Sequence, residues 1–170
     1  MSRERLLTLY ALAVGAIGWV WLLFTPQPAT SLAALVLFAA LALAIDTLSF
    51  RVPPADAYSL SGIVLLTAAL ALGPAAGALL AAFEGAAAGA LLVLLYNRPR
   101  SFYLLAARPL MRGGTRAAAI LAGAALAGAA TGRPQLDPAA LDPVPLLLWT
   151  GLAYFTTLQL GRVGRELLHG

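Results

Sequence analysis

The chain has no cysteine and no lysine, one histidine (His169) beside its C-terminus, and charged side chains at only 11% of its 170 positions. Without cysteine there are no disulfides, thiolate metal sites or cysteine nucleophiles. One histidine cannot build a histidine metal centre or a Ser-His-Asp triad within a single chain. No phosphate-binding loop, GxGxxG turn, HExxH, GxSxG or EF-hand pattern occurs. An enzyme is therefore the least expected class, and no cofactor, metal or catalytic residue is expected.

What is abundant is apolar. The apolar fraction is 61%, against about 45–50% apolar and about 25% charged in an ordinary soluble domain. A chain this poor in polar groups could not cover its own surface in water. The length suits one domain. The expected fold is an all-α integral membrane protein with the lipid bilayer as its first partner, in a bacterial inner membrane. The net charge of +4 comes from eleven arginines. On a soluble protein it would suggest nucleic acid. Here the arginines stand in short loops between apolar runs, a pattern of membrane topology, so no nucleic-acid partner is expected. Arg3 and Arg5 ahead of an apolar run imitate a signal peptide. However, residues 6–24 are long enough to span, and Thr25-Pro26-Gln27-Pro28 lacks a small-x-small cleavage site, so the first helix is read as retained.

A helix needs about 20 apolar residues to cross a hydrocarbon layer of roughly 30 Å. On that measure the sequence predicts a single membrane domain, a bundle of about six transmembrane helices. The spans fall near 6–24, 31–48, 60–72, 74–96, 115–131 and 146–168. Gly73-Pro74 marks a tight hairpin between the third and fourth, because Gly suits the position after a helix and Pro the first position of the next. The third span is short, so a re-entrant pair competes with a full crossing. Residues 101–110 are expected as a short amphipathic helix in the interface before the fifth span, ended by Gly113-Gly114. Six spans place the N- and C-termini on one side. With both cytoplasmic, Arg3, Arg5, Arg51, Arg98, Arg100, Arg108, Arg112, Arg116, Arg162 and Arg165 lie inside and Arg133 alone outside, as the positive-inside rule requires. Trp19, Trp21 and Trp149 then fall toward the outer interface, and Tyr96, Phe102 and Tyr103 toward the inner one.

Few residues could carry chemistry. Glu84 lies ten residues after Pro74 and twelve before Tyr96, near mid-bilayer at about 1.5 Å per residue. An ionisable group there costs on the order of 2.5–3.5 kcal/mol by insertion scales and usually faces the bundle interior. It reads either as a proton-linked or ligand-binding carboxylate, or as a protonated Glu hydrogen-bonded to a neighbouring helix. Asp46 lies near the inner end of the second helix, close enough to water to stay ionised, with Arg51 as an interfacial partner. Arg108, Arg112 and Arg116, spaced by four, form one ridge if the helix is continuous. They are expected as a cytoplasmic basic surface for topology and anionic lipid, or for a phosphate-bearing ligand or docking partner. Gly73-xxx-Gly77, Gly85-xxx-Gly89 and Gly128-xxx-Gly132 are small-xxx-small spacings that let helices approach closely. With the Ala and Gly density of 117–130, they predict that the fourth and fifth helices pack at the bundle centre. Biased codon usage accounts for part of that density.

The runs Phe50-Arg51-Val52-Pro53-Pro54, Tyr58-Ser59-Leu60-Ser61-Gly62 and Ala71-Leu72-Gly73-Pro74-Ala75-Ala76-Gly77-Ala78-Leu79 resemble an N-terminal membrane region of bacterial signalling proteins. In those proteins it precedes cytoplasmic HD-GYP or GGDEF domains, which degrade or make cyclic di-GMP. Tyr154-Phe155 and Leu158 ahead of a basic helix end are similar as well. The family's aromatic-Asn pair and sixth-helix Asn are replaced by Arg108-Pro109 and Thr156-Thr157, and residues 1–170 themselves hold no output domain. The resemblance implies a membrane sensor or input module that signals to a cytoplasmic domain or protein. The competing expectations are a small-solute transporter or its substrate-binding subunit, with Glu84 facing a small-molecule ligand, and an accessory subunit of a membrane complex. A second copy of the chain is a further candidate partner.

Overall fold

Long stretches of Ala and Leu, with proline kept to their ends, favour helix throughout. The computed structural model describes residues 3–27, 29–49, 61–95, 101–132 and 142–169. Among them every regular element is helical: α1 (Arg3–Phe24), α2 (Leu32–Ser49), α3 (Ser61–Leu72), α4 (Pro74–Leu95), a π turn (Tyr103–Ala107), α5 (Arg108–Thr131) and α6 (Pro143–His169). Residues 50–60, 96–100 and 133–141, which include Arg51, Tyr58, Tyr96, Arg98, Arg100, Arg133 and Asp137, lie outside the described residues.

The expected hairpin is present. Gly73 adopts φ 93°, Pro74 opens α4, and the Gly77 N–H donates to the Gly73 carbonyl at 3.0 Å. A Cβ on Gly77 would overlap the backbone of Ala69, so α3 and α4 meet without intervening side chains. Gly73→Ala forces a side chain into the left-handed region, at about 1–3 kcal/mol. It should lower the unfolding midpoint while leaving helix content unchanged, and an unmoved midpoint would show that the turn does not depend on that φ.

One boundary differs from expectation for a local reason. α6 begins at Pro143, before the expected Leu146, because Asp142 caps it. The Val144 N–H donates to Asp142 Oδ1 at 3.3 Å, and the Leu146 N–H donates to the Asp142 carbonyl at 3.2 Å. Pro143 and Pro145 are tolerated in a first turn, where N–H groups have no helical acceptor.

The larger correction concerns α5. Gly113-Gly114 does not break the helix, and the span does not start near Thr115. α5 runs unbroken from Arg108, and the π turn leads straight into it. There the Arg108 N–H reaches back five residues to the Tyr103 carbonyl, a register change just ahead of Pro109, which has no N–H to offer. Residues 101–110 therefore do not form a helix separate from α5. Ala107 and Met111 pack against Ala11, and Tyr10, Leu12, Val14 and Tyr103 flank that cluster. Glycine inside a helix costs about 1 kcal/mol relative to alanine. Here the two glycines let other backbones touch α5: Gly18 and Gly15 of α1 abut Gly114, and Ala82 of α4 abuts Gly113.

α5 is the centre of the fold, with its most extensive contacts to α4, α1 and α6, while α3 packs on α4 and α2 on both. The main core is built of small side chains, including Ala42, Ala68, Ala69, Ala78, Ala81, Ala82 and Ala117 around Leu65, Ile120 and Leu121. Threonine hydroxyls at Thr8, Thr25, Thr67, Thr115, Thr131 and Thr157 donate to the carbonyl four residues earlier, which satisfies them inside their own helices. Large apolar side chains face outward: Ile17, Leu23 and Phe24 on α1, Leu32, Val36 and Leu37 on α2, and Val144, Leu148 and Leu152 on α6. Glu4–Phe24 and Pro74–Leu91 are long and apolar enough to cross a membrane, and Leu32–Thr47 and Ser61–Leu72 are shorter apolar helices.

Candidate functional site

Glu84 sits midway along α4 among Ala81, Ala82, Gly85 and Ala88, all of them buried. Side chains this small bring α5 close enough for direct contact: a Cβ on Gly85 would lie 2.8 Å from the Arg112 carbonyl, and one on Gly89 3.0 Å from Pro109 Cα. The approach gives Glu84 a partner. Its Oε2 pairs with Nη1 of Arg116, and the two side chains are 0% and 7% exposed. Arg116 is therefore not part of a cytoplasmic basic surface. Because α5 is continuous, its arginine ridge runs into the bundle instead of lying outside it. The group that Glu84 meets is a guanidinium.

The pair is buried. Removing two charges from water costs several kcal/mol per ion, and their attraction offsets this only with good geometry. Glu84 Oε1 has no hydrogen-bond partner among the described residues. The site thus keeps one unused acceptor oxygen in an apolar interior.

Other polar groups share this level of the bundle. Counting two turns back from Ala69 and two turns forward from Gly77, which touch, places Ser61 beside the level of Glu84. Ser61, the first residue of α3, is fully buried, so this short helix starts deep in the bundle. Asp46 is 2% exposed, which corrects the expectation of a carboxylate held near water. It follows Ala42 by one turn on the same face of α2, and Ala42 belongs to the core with Val64, Leu65 and Ala81. Arg51, its expected partner, lies outside the described residues. Among the described residues, no group of three His, Asp or Glu side chains could hold a metal ion.

No protein-family model, curated protein or solved structure matches the chain. The site rests on its own geometry.

Arg108 and Arg112 are half-buried, two turns and one turn respectively from Arg116 toward the start of α5. Trp19 of α1 donates its Nε1–H to the Leu110 carbonyl at 2.9 Å, tying α1 to the same stretch of α5. On the far side, Gly123 receives Thr150 of α6: a Cβ there would overlap the Thr150 backbone, and Thr150 Oγ1 is buried without a hydrogen-bond partner among the described residues. Of the glycines expected to pack helices, Gly77, Gly85 and Gly89 do so, Gly73 makes the turn, and Gly128 is only half-buried. Gly18, Gly114 and Gly123 carry the closest approaches, and these three, with Gly15 and Gly113, were not expected. Their spacing is irregular, and Gly113-Gly114 has the appearance of a helix breaker.

Proposed function

We propose that the chain is a six-span membrane input module with both termini inside. In this reading α5 carries the ionisable centre Glu84–Arg116, and α6 passes its state to a cytoplasmic partner. The observation that carries it is the course of α6. It rests on α5 where Thr150 meets Gly123, then continues without a break to His169. Its 27 residues make a rod of about 40 Å, some 10 Å longer than a hydrocarbon layer of roughly 30 Å. A rod that meets the buried pair's helix at Thr150 and runs on to His169 can transmit a shift of α5. The outward apolar faces of α1, α2 and α6 suit lipid. With Arg108, Arg112 and Arg116 assigned to α5 itself, the remaining arginines still divide seven inside against Arg133 outside. The contact of Gly85 with the Arg112 backbone favours transmission over a solute cavity at Glu84.

Rotation is the signal a rigid helix carries best. One to four alanines inserted between Gly161 and Arg162, in a fusion to a cytoplasmic reporter enzyme, turn the output face by about 100° each. Output should change most with two insertions and return near the original level with four. Output indifferent to insertion length would sink the input-module reading.

A further inference from the structure

Among the described residues, one guanidinium of the α5 arginine ridge has no partner. Arg116 is taken by Glu84. Arg112, one turn nearer the start of α5, is half-buried, and its side chain makes no hydrogen bond or ion pair among the described residues. Its depth is set by its neighbours. The Arg112 carbonyl lies against Gly85 of α4, and Met111 beside it lies against Gly15 of α1. Gly15 and Gly85 are interior residues of the two helices long and apolar enough to cross a membrane. A bare cation at that level is costly and calls for an anion or water.

We propose that Arg112 binds an oxyanion, a phosphate or carboxylate group, that enters along α5 from the inner side. The inference rests on the six-span reading. Cα–Cβ bonds in a helix tilt toward its N-terminus, which for α5 is the inner end. The Arg112 side chain therefore leaves the helix toward the surface from which an anion would come. The planar fork of arginine matches the two oxygens of such a group. Glu84 sets the limit of entry. It already occupies Arg116 and repels a second anion, so the ligand stops at Arg112. Bound there, one turn from the ion pair, the anion's charge acts on Glu84 and Arg116. Occupancy thereby acts on the helix that α6 rests on, which gives the input module its signal.

The same chemistry has two sources, the headgroup of an anionic phospholipid and free phosphate. The test uses the full chain in phosphatidylcholine nanodiscs titrated with inorganic phosphate, and in nanodiscs of increasing phosphatidylglycerol content, with sodium chloride at matched ionic strength as control. The unfolding midpoint is read. It should rise and saturate in one arm beyond the chloride control, and the arm that responds names the source. Arg112→Gln should weaken half-saturation by about tenfold or more, the loss of one charged hydrogen bond, while Arg133→Gln responds as the wild type. No rise in either arm, or an Arg112→Gln response equal to the wild type, overturns the proposal. If Arg112→Gln does not fold, Arg112→Lys keeps the charge without the fork. It should need more probe than the wild type, and equal half-saturation overturns the proposal. Binding that survives while the insertion series fails would leave the site standing and remove only the input reading.

Discussion

Glu84→Gln alone, or Arg116→Met alone, should destabilise the chain by about 3–5 kcal/mol, and the double substitution should recover most of that loss. Either single change leaves one partner charged or polar in a shell of Ala and Gly, with nothing to replace what it lost. That uncompensated group is what makes breaking a buried pair so costly. Replacing both members with uncharged side chains of similar size is often neutral or stabilising. Reversible unfolding of the four proteins in one lipid or detergent system gives the coupling directly. Independent sites would add to within about 0.3–0.5 kcal/mol, so near-additivity would mean that the two side chains do not meet. The double variant also separates structure from signalling. If the pair only holds the fold together, reporter output in the double variant follows the wild type. If the pair is the centre of the input, the double variant is folded and its output is fixed in one state.

The second large effect is steric. Gly18→Leu or Gly114→Leu should abolish the native packing of α1 on α5. The loss should be well above the roughly 1–3 kcal/mol of ordinary core overpacking. A Cβ on Gly18 runs into the Gly114 carbonyl, and one on Gly114 into the Gly15 carbonyl. Backbone cannot step aside as a flexible side chain does, so the helices must part. Parting them also breaks the hydrogen bond from Trp19 to Leu110. Gly151 of α6 provides the opposite case, since nothing lies within 4 Å of a Cβ placed there. Gly151→Ala should stabilise by about 0.5–1 kcal/mol through helix propensity. Midpoints for both variants, read together, distinguish glycine as a contact surface from glycine as filler. A tolerated Gly18→Leu would mean that α1 does not lie against α5.

The helices were legible in the sequence because the signals for their ends are local. Pro26 and Pro28 follow α1, and Gly73-Pro74 separates α3 from α4 without help from tertiary contacts. Glu84 stood out for the same reason, as a lone acid in a long apolar run. Its partner did not. Gly113-Gly114 has low helix propensity, and propensity alone ends the helix there and sends Arg116 to the surface. Tertiary contact overrides it, because those two glycines are where α1 and α4 press on α5. One signal could have found the pair. Glu84 stands twelve residues before Tyr96, and Arg116 fourteen after Phe102. In two antiparallel helices joined through 96–102, equal distances from the connection mean equal depth. Asp46 was misplaced for a different reason: distance from a helix end measures depth along the axis, not burial, and burial depends on α3 and α4 covering that face of α2.

The account stands on α5 running within the bilayer from its first turns, so that its arginine ridge reaches the middle of the bundle. Leu110 is exposed on α5 beside the level where Trp19 and Gly15 meet it. The chain has no cysteine, so a nitroxide placed by Leu110→Cys is the only label in the reconstituted protein. Its collisions with oxygen and with a water-soluble nickel complex measure depth. We predict high oxygen and low nickel accessibility, matching a label at Ile17 of α1. High nickel accessibility at position 110, with Ile17 still protected, would return the start of α5 to the membrane surface and contradict the account.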